Sequence, residues 1–200
     1  MVYHQRLGTK SPSPGIYIQD IEGYCLTEDE WNKAVGLTPN GIAVVTSNLS
    51  FVLAISEVSS SMAICSDAYT YPDLPQYSTD YEAFQDLNGA NNTERMIAVY
   101  GNNANYAAGA CANYIFPNGK TGYLGSAGEW RVIELNYVSI AGLLSIIGGG
   151  LPYNNYNYTS TRGQNFESGE LKFWSYNWST HSWVCGNPMN KGRVRAFCSL

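Results

Sequence analysis

The sequence is poor in charged residues. Asp, Glu, Lys and Arg together make up 14% of the 200 residues, against roughly 25% in an average globular protein. With 11 basic and 16 acidic residues the net charge is −5, and the bases do not cluster as a nucleic-acid-binding face requires. The acidic balance repels a polyanion as well. The composition therefore predicts a protein that does not bind nucleic acid.

Paired cysteines are also missing. The five cysteines are widely spaced, form no CxxC pair and do not cluster with histidine, so no zinc site is predicted. An odd count argues against a complete disulfide framework and favours buried free thiols made in a reducing cytoplasm. One bridge, Cys185–Cys198, stays open as an alternative.

Long apolar runs are absent too. The N-terminus lacks the basic-then-apolar pattern of a signal peptide. The most apolar stretch, residues 140–151, is too short and too rich in glycine to cross a bilayer. We expect no insertion into a membrane. If the protein acts outside the cell, it would have to reach the exterior by another route, such as assembly into a larger particle.

Tyrosine and asparagine are abundant instead, with 16 and 19 residues. Both are typical of adaptable binding surfaces, because a rigid ring is ordered at small entropic cost and an amide both donates and accepts hydrogen bonds. An alternative interpretation stays open, in which amides and hydroxyls simply replace charge as the source of solubility. The charge is uneven: residues 1–150 carry 14 acids and 6 bases (net −8), and residues 151–200 carry 2 acids and 5 bases (net +3).

Hydrophobic periodicity and turn residues predict a mixed α+β domain over residues 16–200, preceded by a proline-containing arm or linker at 1–15. Capping boxes are expected to open helices at Thr27–Glu30 and at Ser126–Glu129. We predict further helices at 80–87, 92–99, 102–114 and 138–147, the last ending at a glycine cap. Strands are predicted at 16–21, 42–46 and 51–55, after a turn at 39–41, and short antiparallel strands with polar loops are expected after Pro152.

One segment near the C-terminus alternates aromatic rings with small polar residues. A strand places successive side chains on opposite faces, so the rings are expected to be buried and the polar residues to face solvent. This division predicts a rigid scaffold under an interchangeable recognition surface, and it favours binding over catalysis. The residues, in order, are Trp174, Ser175, Tyr176, Asn177, Trp178 and Ser179.

Several motifs resemble those of the variable proteins with a C-type-lectin fold that retroelements diversify in phages and gut bacteria. Tyr158-Thr159-Ser160-Thr161 resembles that family's Tyr-Trp-Ser-Ser-Thr, and Trp174 its later Ala-Trp. Arg193-Val194-Arg195-Ala196-Phe197 resembles its closing Arg-Val-Arg-Ala. Residues 122–130 are similar to the Leu-Pro-Ser/Thr-x-x-Glu-Trp element that the fold shares with formylglycine-generating enzymes. The likeness covers residues 16–200.

The sequence departs from this family's pattern in three places. Gly125 stands where the family has proline, and Tyr158 where it has tryptophan. The usual Asn-Gly or Asp-Gly turn is replaced by Ser179-Thr180-His181.

The resemblance implies a C-type-lectin-like fold with a twisted antiparallel sheet and two main helices. It also implies a ligand face of short polar residues within residues 153–192, over a scaffold of Trp174, Tyr176, Trp178, Trp183, Val194 and Phe197. The ligand-binding residues so implied are Arg162, Gln164, Asn165, Glu167, Ser175, Asn177, Ser179, Thr180, Ser182, Asn187 and Asn190.

Other chemistries find little support in the sequence. A calcium-dependent sugar site would need a carboxylate-Pro-Asn loop, and Asn187-Pro188 has no carboxylate beside it. We expect His4 to lie in the arm and His181 to be a solvated turn residue rather than a general base. Glu129 is expected to cap a helix rather than to catalyse, so no catalytic residue, metal or cofactor is predicted.

We therefore predict a recognition protein without enzymatic activity. Its partner would be a bacterial surface protein or glycan, and its location a virion, as part of a phage tail fibre or appendage, or the bacterial cell surface. A homo-oligomer such as a trimer is expected, or docking on a larger virion assembly. Two alternatives stay open: a structural assembly protein, and a formylglycine-generating-type oxidase that uses Cys185 and Cys198.

Overall fold

The computed structural model describes residues 7–200, which form a mixed α+β fold of six helices and two sheets. The strands are β1 (Gly15–Asp20), β2 (Cys25–Leu26), β3 (Pro39–Val45), β4 (Ser50–Leu53), β5 (Ser59–Met62), β6 (Tyr123–Leu124), β7 (Tyr156–Gly163), β8 (Lys172–Asn177), β9 (Ser182–Gly186), β10 (Gly192–Val194) and β11 (Ala196–Cys198). The helices are α1 (Glu28–Lys33), α2 (Asp80–Ala83), α3 (Gly89–Tyr100), α4 (Ala107–Ala112), α5 (Ala127–Leu135) and α6 (Tyr137–Ile146).

The arm predicted at residues 1–15 lies partly outside the described residues, and His4 lies entirely outside them. Where the arm is described, it pairs with the sheet. The Thr9 amide donates to the Cys25 carbonyl oxygen at 3.0 Å, and the Cys25 amide donates back to Thr9 at 2.8 Å. The last residue assigned to the arm, Gly15, already belongs to β1.

The first sheet is antiparallel throughout, in the order β2-β1-β3-β4-β11-β6. The predicted hairpin is confirmed as β3 and β4. The turn predicted at residues 39–41 is wrong, because these residues begin β3. Pro39 can occupy the first position of a strand, where an amide donor is not needed. Gly41 is required there, since a Cβ would lie 2.4 Å from the Leu53 carbonyl oxygen.

The second sheet has the order β5-β10-β7-β8-β9, with β10 parallel to β7 and the other pairs antiparallel. The closing strand predicted at residues 193–197 is divided between the sheets, β10 in this one and β11 in the first. Arg195 lies between them and is 2% exposed. Its guanidinium donates to the carbonyl oxygens of Ala54 and Gly150, at 3.0 and 2.5 Å.

The helix ends follow local sequence signals. Both predicted capping boxes are present, at Thr27 with Glu30 and at Ser126 with Glu129. Helix α6 ends as predicted at Gly148, which has φ 81°. The Gly148 and Gly149 amides donate to the carbonyl oxygens of Ser145 and Leu144, the pattern of a Schellman motif.

An aromatic cluster joins the two sheets to α5. The Phe197 ring of the first sheet lies 5.0 Å from Phe51 and 5.2 Å from Trp130, between ring centroids. Trp178, which follows β8 of the second sheet, lies 6.4 Å from Trp130 and edge-on to it. Edge-to-face packing of buried rings adds stability to that gained from burying their apolar area. This cluster therefore stabilises the packing of the two sheets against α5.

A buried polar network attaches β7 to the helices. The Asp86 carboxylate, 3% exposed, accepts hydrogen bonds from the Asn92 amide at 2.7 Å, the Thr161 hydroxyl at 2.7 Å and the Asn88 backbone N–H at 3.1 Å. The Thr161 hydroxyl in turn accepts from the backbone N–H of Ala127 at 2.7 Å. Thr161, the last residue of the Tyr158–Thr161 motif, therefore contacts the start of α5, which lies in the motif at residues 122–130.

Replacing Asp86 with alanine tests this network. The change leaves the Asn92 amide, the Thr161 hydroxyl and the Asn88 N–H buried without their acceptor. We expect Asp86→Ala to lower the free energy of unfolding by about 3 kcal/mol or more, measured by urea denaturation. Asp73→Ala is the control, because that side chain is solvent-exposed and its loss should change little. Equal effects of the two substitutions would contradict the role given to Asp86.

Candidate ligand-binding surface

The three rings predicted to be buried are buried. Trp174, Tyr176 and Trp178 are 7%, 3% and 3% exposed. Both indole nitrogens have acceptors: Trp174 Nε1 donates to the Tyr77 carbonyl oxygen at 3.2 Å, and Trp178 Nε1 to Asn157 Oδ1 at 2.6 Å. The scaffold half of the alternation is therefore confirmed.

Ser175 was predicted to face solvent, and this is wrong, because both faces of β8 are covered there. Ser175 is 4% exposed and lies in register between Tyr158 and Val184. The Tyr158 ring beside it is held by a 2.6 Å hydrogen bond from its hydroxyl to the Asn190 carbonyl oxygen. The loop after β9 thus crosses this face.

Arg162 was also predicted to be an exposed ligand residue and is instead 8% exposed. Its guanidinium donates to the Pro72 carbonyl oxygen at 3.2 Å and to Asn165 Oδ1 at 3.1 Å. It also lies 5.1 Å from the centroid of the Tyr71 ring. The irregular segment before α2 covers this end of the sheet, so Arg162 has a structural position.

The other nine predicted residues do not form one surface. Gln164, Asn165 and Glu167 follow β7, whereas Asn177, Ser179, Thr180 and Ser182 surround the turn at the far end of β8. At roughly 3.3 Å per residue, the strand separates these groups by about 17 Å. The loop between β9 and β10 carries the last two, Asn187 and Asn190.

Local hydrogen bonds fix the backbone of the turn between β8 and β9. Asn177 Oδ1 accepts hydrogen bonds from the backbone N–H groups of Ser179 at 2.9 Å and Thr180 at 3.4 Å. His181 adopts φ 51°, the left-handed region in which Asn or Gly is usual. Asn177 therefore builds the turn, and the exposed hydroxyls of Ser179, Thr180 and Ser182 project from it.

Two residues at the start of β7 adjoin this turn and were not among the predicted ligand residues. The Asn155 backbone N–H donates to Ser179 Oγ at 3.2 Å, and Tyr156 pairs with Asn177 in register. Tyr156 is 38% exposed. The Tyr-Asn composition of this segment was the signal that could have identified them. We call the set Asn155, Tyr156, Ser179, Thr180, His181 and Ser182 the turn surface.

The turn surface contains no Asp, Glu, Lys or Arg. Two of the five basic residues of the C-terminal segment are engaged elsewhere: Arg193 forms a 2.6 Å ion pair with Glu57 and also bonds Asn154, and Arg195 is buried. Hydrogen bonds and ring contacts are thus the interactions that this surface offers to a ligand.

The cysteines are free, and four of the five are buried. Burial raises the pKa of Cys185 to about 11 and that of Cys198 to about 12, so both thiols are protonated near neutral pH. The two lie in different sheets, β9 and β11, and the alternative Cys185–Cys198 bridge is not formed.

Glu129 is a buried carboxylate with an unusual environment. Burial raises its pKa from 4.5 to about 7, and hydrogen bonds from Ser126 and Tyr123 oppose this rise. Its oxygens accept from the Ser126 N–H at 2.7 Å, the Ser126 hydroxyl at 3.0 Å and the Tyr123 hydroxyl at 2.7 Å. The bond from the Ser126 N–H belongs to the capping box that the sequence predicted, and the bond from Tyr123 is additional to it.

Comparison with known proteins yields no relative. No protein-family model, characterised protein or solved structure gives a significant match to this chain. Within residues 7–200, no three His, Cys, Asp or Glu side chains are grouped so that they could hold a metal ion. None of the helices described there has the length and apolarity needed to cross a membrane.

The turn gives a first prediction for this surface. His181→Gly should leave the free energy of unfolding nearly unchanged, because glycine adopts positive φ without steric cost. His181→Val should lower it by about 1–2 kcal/mol, because a β-branched side chain is disfavoured in the left-handed region. Thermal melts of the two variants measure the difference, and equal stability of both would contradict the turn geometry.

Glu129 gives a second prediction, a dependence of stability on pH. Since its folded pKa is raised, its stabilising contribution is complete below pH 4.5 and is lost as the pH rises through about 7. Each unit of pKa difference is worth about 1.4 kcal/mol, so the loss is at most about 3–4 kcal/mol. Glu129→Gln does not titrate, and its urea-unfolding free energy should fall less over this range than that of the wild type. Parallel pH profiles would show that Glu129 is not responsible.

Proposed function

We propose that this chain is a ligand-recognition protein with a C-type-lectin-like fold, and that it binds a bacterial surface protein or glycan through the turn surface. The proposed setting is host attachment, as the distal part of a phage tail fibre or similar virion appendage, with display on a bacterial cell surface as the alternative setting. The motif resemblance supports the family and the setting. The geometry of the turn supports the position of the site.

The main support is the contrast between a fixed backbone and exposed side chains. The hydroxyls have local partners, Ser179 with the Asn155 N–H at 3.2 Å and Thr180 with Ser182 at 2.7 Å, and each keeps further hydrogen-bonding capacity for a ligand. The turn backbone is held by Asn177 and is preceded by β8, whose central residues are buried, while Ser179, Thr180 and Ser182 are exposed. A binding group held on a rigid element loses little entropy when it binds. Substitution of these hydroxyl residues would change the ligand without disturbing the buried rings.

The chemistry of the turn surface favours an uncharged, hydrogen-bonding ligand. Hydroxyl and amide groups donate and accept, as sugar hydroxyls and peptide groups do. The partly exposed ring of Tyr156 adds an apolar contact with a polar tip. The turn surface has six residues, so a single copy is expected to bind weakly. Several copies in one assembly would supply avidity.

A second function, assembly into a larger structure, is favoured by exposed apolar side chains elsewhere. Leu135 at the end of α5 and Val138 in α6 are 66% and 83% exposed, and Ile146 is 38% exposed. Exposed apolar residues grouped on one part of a surface often mark a protein interface. A chain that needs these residues for particle assembly, and not the turn surface for cell binding, would have this function instead.

The test removes the three hydroxyls together. We expect Ser179→Ala, Thr180→Ala and Ser182→Ala in one chain to weaken binding about a hundredfold, since three hydrogen bonds of about 1 kcal/mol each are lost. The probe is labelled protein on a panel of intact gut bacteria and on a glycan array. The melting temperature should stay nearly constant, because no buried group changes.

A matched control changes three exposed polar residues in the hairpin of the first sheet, Ser47→Ala, Asn48→Ala and Ser50→Ala, and should bind like the wild type. Unchanged binding by the Ser179, Thr180 and Ser182 variant would overturn the site. Absence of wild-type binding to every cell and glycan tested would count against the function itself.

A further inference from the structure

Strand β9 forms an open edge of the five-stranded sheet. Within residues 7–200 it pairs with β8 and has no strand on its other side. Ser182 is exposed, and the four following residues of the strand are partly exposed. An edge strand presents unpaired backbone groups to solvent and can pair with a strand of another chain.

The direction of the backbone groups on β9 can be derived from side-chain contacts. The Trp174 carbonyl oxygen accepts from the Thr159 hydroxyl at 2.8 Å, so it faces β7. The Val184 carbonyl oxygen accepts from the Ser175 hydroxyl at 3.4 Å, so it faces β8. Because the facing direction alternates along a strand, the N–H and C=O groups of Trp183 and Cys185 point outward. Among residues 7–200 these four groups have no hydrogen-bond partner.

The other sheet edges are less suited to pairing. Strand β5 is three serines and a methionine, with a register irregularity opposite β10. Strand β2 has Thr9 bridged to it through Cys25, and β6 has only two residues. Strand β9, by contrast, pairs with β8 in continuous register over five residues and contains neither charge nor proline, the devices that protect an edge.

We propose that β9 pairs antiparallel with β9 of a second copy of this chain, about a two-fold axis at Val184. In this register Trp183 of one protomer lies opposite Cys185 of the other, and their outward N–H and C=O groups form four hydrogen bonds per dimer. The two Val184 side chains meet at the axis.

The sequence of β9 is complementary to itself in this register. The large Trp183 side chain lies opposite the small Cys185 side chain, on the same face of the sheet, and Ser182 lies opposite Gly186. No charged residue is placed opposite another, so no cross-strand repulsion arises. These features favour a second copy over an unrelated strand, and an isologous two-fold pair closes upon itself without forming a filament.

The dimer does not depend on the proposed ligand, although it would serve the proposed function. It would join two five-stranded sheets into one of ten strands, with a turn surface on each side of the axis. Two binding surfaces held in one rigid assembly would add avidity at a repetitive bacterial surface.

The test measures mass under reducing conditions, by sedimentation or light scattering. The wild type should have twice the 22.0 kDa mass of the chain and dissociate on dilution. Val184→Lys and Val184→Glu each place like charges together at the axis, and each should weaken the dimer at least about tenfold. An equimolar mixture of the two should form dimers again. Ser60→Lys, on the edge strand β5, is the control and should leave the dimer unchanged.

Hydrogen exchange provides a readout that needs no variant. The Trp183 and Cys185 amides should be protected at high protein concentration and exchange faster on dilution, whereas the Val184 amide, bonded to β8, should change little. A monomeric or trimeric wild type would overturn the proposal, since a two-fold edge pair gives neither. So would a Val184→Lys protein that remains a dimer, or Trp183 and Cys185 amides that exchange equally fast at all concentrations.

Discussion

The carboxylate of Asp86 is the constraint on which the position of the second sheet depends. It joins the loop before α3, α3 itself and β7 through three hydrogen bonds, and Thr161 extends the connection to the first amide of α5. A buried carboxylate is stable only when its oxygens are satisfied. The chain must therefore place Asn88, Asn92 and Thr161 around it, and this requirement determines where β7 lies relative to the helices.

Once β7 is fixed, little freedom remains for the strands beside it. The Trp130, Trp178 and Phe197 rings fill the space between the sheets and α5, and Arg195 binds carbonyl groups at the point where the chain passes from one sheet to the other. Both faces of β8 are covered as a result. A recognition surface can then occur only where strands end, and the turn after β8 presents hydroxyls on a backbone that the scaffold holds in place.

The two proposals concern neighbouring parts of the same strand. Ser182 belongs to the turn surface and also begins β9, whose outer edge is unpaired in the described part of the chain. If β9 pairs with a second copy, the edge that is open in one chain becomes the centre of a larger sheet, and each turn surface lies beside the interface. Ligand contact and dimerisation would use different groups, side-chain hydroxyls in one case and backbone amides in the other, so either could change without the other.

Features decided by neighbours in the chain were predictable from sequence. The capping boxes at Thr27 and Ser126 and the glycine cap at Gly148 depend on contacts over a few residues. The alternation of side chains along a strand likewise predicted which rings near β8 are buried, although distant segments cover them. The burial of Ser175 and Arg162 was not predictable, because distant segments cover them. The Pro72 carbonyl oxygen that accepts from Arg162, for example, lies 90 positions earlier in the chain. Likewise, the division of the last strand between two sheets depends on where β4 and β7 already lie. The sequence by itself determined the local elements and which rings avoid water; only the tertiary structure decided which polar residues remain exposed, because exposure depends on what long-range packing places above them.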